Sequence, residues 1–428
     1  MQKNDIFLKS LYERSRRELK EANFSLDVVS HLKKVIESDF PSSSINIVIG
    51  GTNGKGSTAT FLNSVLMRSG FKCGLFTSPH LISPRERIVI NGEVIDERLF
   101  IDGLRYVDKL SRREYDKGRI GRLPTFFEIM FLTSFYLFSF LRCEISIFEV
   151  GLGGRLDATN VLDKDISFIT NVSLDHESIL GSKLEEIALE KVAIFEKSNL
   201  NLVGNDFLYN ISKDKFNVKK KSEVVNLVGF KKSKPFRYEF LVEYGGEKLC
   251  FNPISEGLYQ VENILNSLFI LHHLEKILER KFVRETIVEG INETKILGRF
   301  QKISHNPDIY IDGAHNEAGL NRLSEEFKIW GIKPVVLFGA MRDKNILKKV
   351  GDLFSFSKEV AFLRVNNSRS ANFEDYAREI KNREFTFFED VCKAIEWAKS
   401  RCGDSPIFIF GSLYLCGEIL EKFEVCVG

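Results

Sequence analysis

The stretch "SINIVIGGTNGKGST", residues 44–58, decides the fold. Its first half is a short β-branched run that ends in glycine, which predicts a buried strand. Four glycines lie between residues 50 and 56, with Lys55 between the last two, and residues 57–70 then show the apolar spacing of a helix. A strand, a glycine loop and a helix in this order place backbone N–H groups where phosphate oxygens bind. The stretch therefore predicts a phosphate-binding loop in an α/β protein.

The loop departs from the usual G-x-x-x-x-G-K-[ST] spacing. Gly56 follows Lys55, so the hydroxyl of Ser57 comes one residue late. Lys55 would add a positive charge at the β- and γ-phosphates, and Ser57 or Thr58 would place a hydroxyl near Mg²⁺. At this point a chance glycine turn, a nucleotide-hydrolysing switch and another kind of ATP-binding protein all remain open.

Strands and helices alternate through the rest of the chain, which predicts mostly parallel sheets covered on both faces. Two segments interrupt the alternation: a hairpin that turns at Asn91-Gly92, and an antiparallel excursion that turns at Gly245-Gly246. The predicted fold class is α/β with two domains. Residues 1–297 form a P-loop-type, mostly parallel sheet flanked by helices, and residues 298–428 form a smaller, Rossmann-like α/β domain.

Charge and hydropathy narrow the partners. The chain of 428 residues has 61 basic and 59 acidic side chains, a net charge of +2 that favours neither nucleic acid nor an anionic membrane. The apolar stretch of residues 126–141 contains Glu128 and is too short for a membrane span, so it predicts a buried helix. The charged N-terminus lacks the apolar core of a signal peptide. We expect a cytoplasmic protein.

Several charged residues follow predicted strands. Glu149 ends an apolar strand before the glycine-rich "GLGGRLDATN", and Asp175 and His176 follow the next strand. Ligand-binding groups gather at the carboxyl ends of parallel strands, and carboxylate oxygens suit Mg²⁺. Each has a plainer alternative: a solvent-facing glutamate, a structural histidine or, for Lys191 on its helix, a surface lysine. Asp312, His315, Asp343 and Lys344 occupy similar strand ends in the second half.

Taken in order, these stretches resemble the folylpolyglutamate synthase / dihydrofolate synthase family of Mur-type amide ligases. The matching segments span nearly the whole chain. They are "GTNGKGS" (51–57), "TSPHL" (77–81), "RERIVINGEVI" (85–95), "TFFE" (125–128), "EVGLGGRLDATN" (149–160), "LDH" (174–176), "IALEK" (187–191), "GRFQ" (298–301), "DGAHN" (312–316), "FGAMRDK" (338–344) and "GSLYLCGE" (411–418).

The resemblance implies an ATP-dependent ligase that adds L-glutamate to a folate, and to dihydropteroate in some members, through an acyl phosphate. It implies ATP and Mg²⁺, a carbamylated Lys191, small-molecule substrates and a monomer that binds neither nucleic acid nor membrane. The implied catalytic residues are Lys55, His176 and Lys191, and the implied metal ligands are Ser78, Glu149 and His176. The implied nucleotide-binding residues are Gly54, Lys55, Gly56, Ser57, Asn263, Arg299, Asp312 and His315. The implied substrate-binding residues are Thr125, Phe127, Glu128, Leu156, Asp157 and Ala158.

The sequence departs from the family pattern beside two of these residues. Val192 and Ala193 replace a smaller pair after Lys191, and Tyr259 replaces a histidine before Gln260. Three alternatives remain: a Mur-type ligase acting on a cell-wall precursor, a P-loop nucleotide-binding regulator, and a catalytically inactive relative. A guanine-reading N-K-x-D is absent from the sequence, which disfavours the regulator, and the retained Lys55, Glu149 and His176 disfavour the inactive relative.

Overall fold

The computed structural model describes residues 7–11, 25–380 and 383–427. Its largest element is an eight-stranded sheet with six parallel strands and an antiparallel hairpin at one edge. From edge to edge its strands are β4 (Glu93–Val94), β3 (Ile88–Ile90), β2 (Cys73–Phe76), β5 (Ile145–Glu149), β1 (Ile45–Gly50), β6 (Lys164–Ile169), β7 (Ser198–Val203) and β8 (Val218–Lys220).

Helices cover both faces of this sheet, and two separate hydrophobic cores lie on its two sides. The apolar stretch predicted as a buried helix is α4 (Phe126–Phe140), and Phe131 and Phe138 in it are almost completely buried. None of the described helices has the length and apolar character that a membrane crossing requires. The other helices of this part are α1 (Asp27–Asp39), α2 (Lys55–Arg68), α3 (Glu97–Asp116), α5 (Glu177–Leu180), α6 (Leu184–Val192), α7 (Asp206–Ser212), α8 (Gln260–Ile277) and α9 (Arg284–Asn292).

Both predicted antiparallel segments are present. Asn91 and Gly92 turn the β3–β4 hairpin with positive φ angles of 47° and 78°, as a two-residue turn of this kind requires. Gly245 and Gly246 join two strands of a separate three-stranded sheet. Its strands are β9 (Val225–Lys234), β10 (Arg237–Tyr244) and β11 (Glu247–Phe251).

The second half of the chain forms a six-stranded sheet in which only the edge strand β12 (Gln301–His305) is antiparallel to its neighbour. The proposed boundary at Gly298 lies between α9 and β12. In sheet order the strands are β12 (Gln301–His305), β13 (Asp308–Asp312), β17 (Ile407–Phe410), β14 (Val335–Phe338), β15 (Glu359–Leu363) and β16 (Thr386–Phe388). The helices are α10 (Glu317–Trp330), α11 (Val350–Phe356), α12 (Phe373–Ile380), α13 (Val391–Cys402) and α14 (Leu413–Val427).

The predicted fold class is confirmed: a mostly parallel sheet with helices on both faces, and a smaller α/β unit after it. Two strands, β7 and β8, were not predicted. β7 reads "SNLNLV", in which polar residues interrupt the apolar run, and Asn201 is nonetheless 6 % exposed. Because polar residues interrupt its apolar pattern, β7, which extends the sheet beyond β6, was not predicted as a strand.

Candidate active site

The glycines of the loop after β1 allow a turn that no larger residue could make. Gly51 and Gly54 have φ angles of 137° and 81°, in the region that favours glycine. A β-carbon on Gly51 would lie 1.9 Å from Thr170 Oγ1, and one on Gly54 would lie 2.3 Å from Asn263 Oδ1. The chain then enters α2 at Lys55. The loop thus directs its backbone N–H groups and a helix N-terminus into one cavity, as phosphate binding requires.

Two lysines converge on the carbonyl of Gly51. Lys55 Nζ donates hydrogen bonds to the Gly51 and Thr52 carbonyls at 3.1 and 3.2 Å, and Lys191 Nζ donates to the Gly51 carbonyl at 3.1 Å. Lys191 is 4 % exposed, and burial together with the nearby Lys55 charge lowers its pKa to about 7. The interpretation of Lys191 as a surface lysine is therefore wrong. With this pKa, the Lys191 amine is neutral in a large fraction of the molecules near pH 7.

Glu149 ends β5, which lies directly beside β1 in the sheet. Its carboxylate accepts a hydrogen bond of 2.9 Å from the Ser78 N–H, and a β-carbon on Gly56 would lie 3.1 Å from its Oε2. Burial raises the pKa of the Glu149 carboxyl. Among the residues that the structure describes, no lysine or arginine forms an ion pair with it. The charges of Lys55 and Arg299 oppose this rise, but neither residue forms an ion pair with the buried carboxyl group.

His176 lies where the two halves of the molecule meet. It adopts a left-handed backbone conformation, with φ of 53°, at the start of α5. Its Nε2 is 3.1 Å from Lys344 Nζ of the second half. Burial lowers the pKa of His176 to about 4, so the imidazole is neutral at pH 7 and able to act as a metal ligand.

Asp175 joins the two halves more strongly. Its Oδ1 lies 2.7 Å from Lys344 Nζ, and its Oδ2 lies 3.4 Å from His315 Nε2 and 3.3 Å from Asn316 Nδ2. Asn316 also donates to Asn53 Oδ1 in the glycine loop at 3.0 Å. Burial alone would raise the pKa of Asp175, but His315 and the Lys344 ammonium hold it well below its usual range. Asp175 therefore remains charged and holds the second half against the phosphate-binding loop.

Three further predicted residues line the opposite wall. Asp312 ends β13, and its carboxylate accepts hydrogen bonds from the Phe300 N–H at 2.7 Å and from the Tyr259 hydroxyl at 2.9 Å. Tyr259 thus provides a hydroxyl donor at the position where the family pattern has histidine. Asn263 Nδ2 donates to Gln260 Oε1 at 2.8 Å, and Arg299 donates to the Gly298 carbonyl at 3.2 Å.

These groups surround one cleft of about 190 Å³ between the two halves, called here the first cleft. Its wall contains all twelve residues that the sequence assigned to catalysis, metal or nucleotide. They are Gly54, Lys55, Gly56, Ser57, Ser78, Glu149, His176, Lys191, Asn263, Arg299, Asp312 and His315.

The six residues assigned to substrate do not line the first cleft. Thr125 and Glu128 form a capping box at the start of α4, and Glu128 also accepts two hydrogen bonds of 2.7 Å from Arg122. Asp157 accepts hydrogen bonds from the N–H groups of Gly151, Leu152 and Thr159 at 2.9 to 3.0 Å. The polar groups of these three residues hold the local backbone.

The remaining members of that set differ in exposure. A β-carbon on Gly151 would lie 2.5 Å from the ring of Phe127, so this ring packs directly against the glycine-rich loop. Leu156 is 38 % exposed and Ala158 is 3 % exposed. Phe127 and Leu156 are therefore the two whose side chains remain suited to contact an apolar ligand.

Sequence reasoning missed some residues of the cleft. Asn53 lines the cleft, and Asn316 donates a hydrogen bond to Asn53 from the second half; both belong to quoted motifs, so the motifs themselves were the available signal. Arg322 lines the cleft from α10, where a single arginine on an amphipathic helix carries no signal. Within the described chain, no group of three or more His, Cys, Asp or Glu side chains is arranged to hold a metal. A cation here would need hydroxyl or ligand oxygens besides Glu149 and His176.

Comparison with known proteins identifies the family of the chain. The family model described as "Mur ligase, glutamate ligase domain" matches residues 298–413. The dihydrofolate synthase/folylpolyglutamate synthase of Buchnera aphidicola subsp. Acyrthosiphon pisum is 32% identical over 396 residues, which cover 89% of this chain and 90% of that protein.

Two solved structures have the same fold. Escherichia coli FolC in complex with DHPP and ADP superposes with a TM-score of 0.80, is 25% identical, and covers 94% of each chain. A bifunctional folylpolyglutamate synthase/dihydrofolate synthase with Mn, AMPPNP and L-glutamate bound has a TM-score of 0.79, is 24% identical, and covers 94% of this chain and 95% of its own.

Proposed function

The chain belongs to the dihydrofolate synthase/folylpolyglutamate synthase family, and from this premise we propose how its own residues perform the reaction. The protein is an ATP-dependent amide ligase that joins L-glutamate to a folate. The folate carboxylate attacks the γ-phosphorus, which forms an acyl phosphate and releases ADP. The glutamate amine then attacks the acyl carbon, and phosphate leaves as the amide forms.

ATP would lie in the first cleft with its phosphates on the glycine loop. Gly54, Gly56 and Ser57 would donate from backbone and hydroxyl, and Lys55 would neutralise charge on the β- and γ-phosphates. The nucleoside end would lie near the residues on the opposite wall, which are Asn263, Arg299, Asp312 and His315. Phosphoryl transfer depends mainly on position and charge neutralisation, which these groups supply.

The residues around Glu149 suit a divalent cation. A buried carboxylate without an ion-pair partner among the described residues is unfavourable, and a bound cation would neutralise it. Ser78, Glu149 and His176 would hold the ion together with phosphate oxygens. Mg²⁺ prefers oxygen ligands and often keeps only a few from the protein, which suits this sparse set. A bound ion supplies charge to the phosphate oxygens during transfer.

Lys191 would be carbamylated. Carbamylation needs a neutral amine that reacts with CO₂, and a pKa near 7 provides this form at neutral pH. The product is an anion in a site that already holds Lys55, so the modification would add an attraction to that cation. The carbamate oxygens would also be available to a second cation.

The acceptor would approach the glycine-rich loop. Phe127 and Leu156 offer an apolar surface for the pterin-bearing part of the substrate, while Thr125, Glu128, Asp157 and Ala158 would shape the backbone around it. We further propose domain limits of 1–297 and 298–428, a monomer and a cytoplasmic location.

One observation carries the proposal: all twelve predicted catalytic, metal and nucleotide residues line a single cleft between the two halves. The test is an ADP-release assay with Mg²⁺, ATP and L-glutamate, with tetrahydrofolate and dihydropteroate compared as acceptors. ADP formation should require both glutamate and one of these acceptors. ADP release that depends on neither acceptor would refute it.

A further inference from the structure

A second region of the molecule has a charge that the reaction at the phosphates does not use. A cleft of about 680 Å³, called here the basic cleft, lies between the β9–β10 turn, residues 254–256 and the β12–β13 hairpin. Five lysine and arginine side chains line it, against two carboxylates. This excess contrasts with a whole chain that is nearly balanced at +2. The basic cleft is therefore more positive than the chain as a whole.

The two carboxylates are already paired. Glu256 Oε1 lies 3.1 Å from Arg237 Nε, and Asp308 Oδ1 lies 2.8 Å from Lys302 Nζ. Three cations are left in surplus: Lys234, Lys295 and Arg299. Neither Lys234 nor Lys295 forms an ion pair or side-chain hydrogen bond with any residue that the structure describes. Lys234 and Lys295 are therefore available to an anionic ligand.

The basic cleft is continuous with the catalytic residues. An intermediate cleft of about 450 Å³ shares Lys295 and Arg299 with the basic cleft, and it shares Ser78 and Glu149 with the first cleft. Arg299 lines all three. A flexible chain whose end reaches Glu149 can thus extend through the intermediate cleft to Lys295 and Lys234.

We propose that the basic cleft binds the oligo-γ-glutamyl tail of folates that already carry several glutamates. The inference rests on the proposed function, since it concerns the acceptor of that reaction. For every tail length the reacting carboxylate must lie at the phosphates, and the earlier glutamyl residues connect it to the pterin. A long tail therefore lies outside the phosphate site, and its pterin lies beyond the basic cleft, whereas the pterin of a short acceptor lies near Phe127 and Leu156. Each earlier glutamyl residue adds one carboxylate, and the cleft offers cations without partners along that route.

The proposal assigns acceptor preference to Lys234 and Lys295. An acceptor with one glutamate has no carboxylates to place in the basic cleft, so the two lysines should not affect it. An acceptor with four glutamates should bind more tightly because of them, and its advantage should shrink as salt screens exposed charges. Arg299 lines the nucleotide site as well and is not suited to a selective test.

The test measures binding and activity in K234A/K295A, with K248A as the control. Lys248 is another exposed lysine on the three-stranded sheet, has no ion-pair partner among the described residues, and lines none of the three clefts. Pterin-free tetra-γ-L-glutamate is titrated calorimetrically into each protein with Mg²⁺ and saturating ADP, so that the phosphate site is filled. Tripolyphosphate is titrated in the same way.

We expect the peptide to bind wild type and K248A alike and K234A/K295A about tenfold more weakly, as two exposed charge contacts would give. The KM of a tetraglutamylated folate should rise by a similar factor, with that of a monoglutamylated folate unchanged. Equal peptide binding by wild type and K234A/K295A would overturn the inference, as would tripolyphosphate that binds as tightly and depends on the same lysines. Absence of folate-dependent ADP formation in wild type would instead refute the proposed function, because the peptide titration does not depend on turnover.

Discussion

The carboxylate of Glu149 occupies the space into which a side chain at position 56 would extend. A β-carbon on Gly56 would lie 3.1 Å from Glu149 Oε2 and 3.4 Å from Oε1. This contact explains why glycine, and not the usual serine or threonine, follows Lys55. The displaced hydroxyl of Ser57 is the consequence of a loop that packs against a strand-end carboxylate.

G56S therefore tests the altered spacing. The substitution restores the common G-K-S order, yet its side chain must move the Glu149 carboxylate. We expect kcat/KM to fall at least about tenfold, a loss of about 1.4 kcal/mol of transition-state stabilisation. G351S is the control, since Gly351 also lies in a helix and no atom lies within 4 Å of its added β-carbon. Full activity of G56S would show that the contact does not matter.

E149Q separates the role of the charge from that of the shape. Turnover should be lost, because the proposed cation would lose its carboxylate ligand, while the metal-free protein should become more stable near pH 7. The sign follows from the raised pKa of Glu149: the folded state holds this proton more tightly than the unfolded chain, so wild type loses stability as pH rises past the ordinary carboxyl range of about 4.3. Denaturant unfolding of wild type and E149Q at pH 4 and pH 7 measures this. A stability difference between the two proteins that is the same at both pH values would contradict the prediction.

Carbamylation of Lys191 can be observed directly. With ¹³C-bicarbonate, a carbamate resonance should appear in wild type and be absent from K191M, which should also have lost its turnover. Depletion of CO₂ should lower wild-type activity, and added bicarbonate should restore it. K164M is the control: Lys164 is likewise buried, and burial lowers its pKa to about 8, but it lies outside the first cleft. A resonance that survives in K191M would reject the assignment.

The sequence predicted the features that depend on local pattern. The β-branched run before the glycines, the Asn91-Gly92 turn and the strand-end position of Glu149 each have a short-range signal, and the structure contains all three. The contact between Asp175 and Lys344 has no such signal, because it joins residues 169 positions apart and depends on how the two halves dock. The parallel topology predicted only that Asp175 and Lys344 each lie at the carboxyl-end edge of their own sheet, and it did not predict that the two edges meet.

The TFFE segment has a local structural role beside its predicted substrate role. Its T-x-x-E spacing is the local signature of a capping box, yet Thr125 and Glu128 were assigned to substrate through the family resemblance. In the structure, Glu128 accepts from the Thr125 N–H at 2.6 Å and from both terminal nitrogens of Arg122. This carboxylate thus already accepts three hydrogen bonds within the protein.

E128Q should accordingly act on stability. Glutamine can still complete the capping box, but loss of the charge and of one acceptor for Arg122 should lower the free energy of unfolding by about 1 to 2 kcal/mol, with the acceptor KM unchanged within twofold. F127A should instead raise the acceptor KM, because the Phe127 ring faces the glycine-rich loop, and it should also lower stability, because the ring packs against Phe76. Urea unfolding and acceptor titrations on both variants decide the matter. A higher acceptor KM in E128Q at wild-type stability would return Glu128 to the substrate site.

K344A should weaken the contact between the two halves of the molecule and widen the first cleft. Of the polar contacts between Asp175 and the second half, the one to Lys344 is the shortest. The two side chains are 14 % and 10 % exposed, so the pair is shielded from salt, and removal of one partner leaves a desolvated charge at a cost of about 3 to 5 kcal/mol. We expect a larger radius of gyration by small-angle scattering and a loss of kcat. D175N should give the same effect, and the double variant should add little, since both changes break the same contact.

R369A is the control, because the neighbouring Arg369–Asp343 pair is 52 % and 50 % exposed and should contribute little. A compact K344A protein, or additive effects in the double variant, would show that other contacts hold the cleft closed.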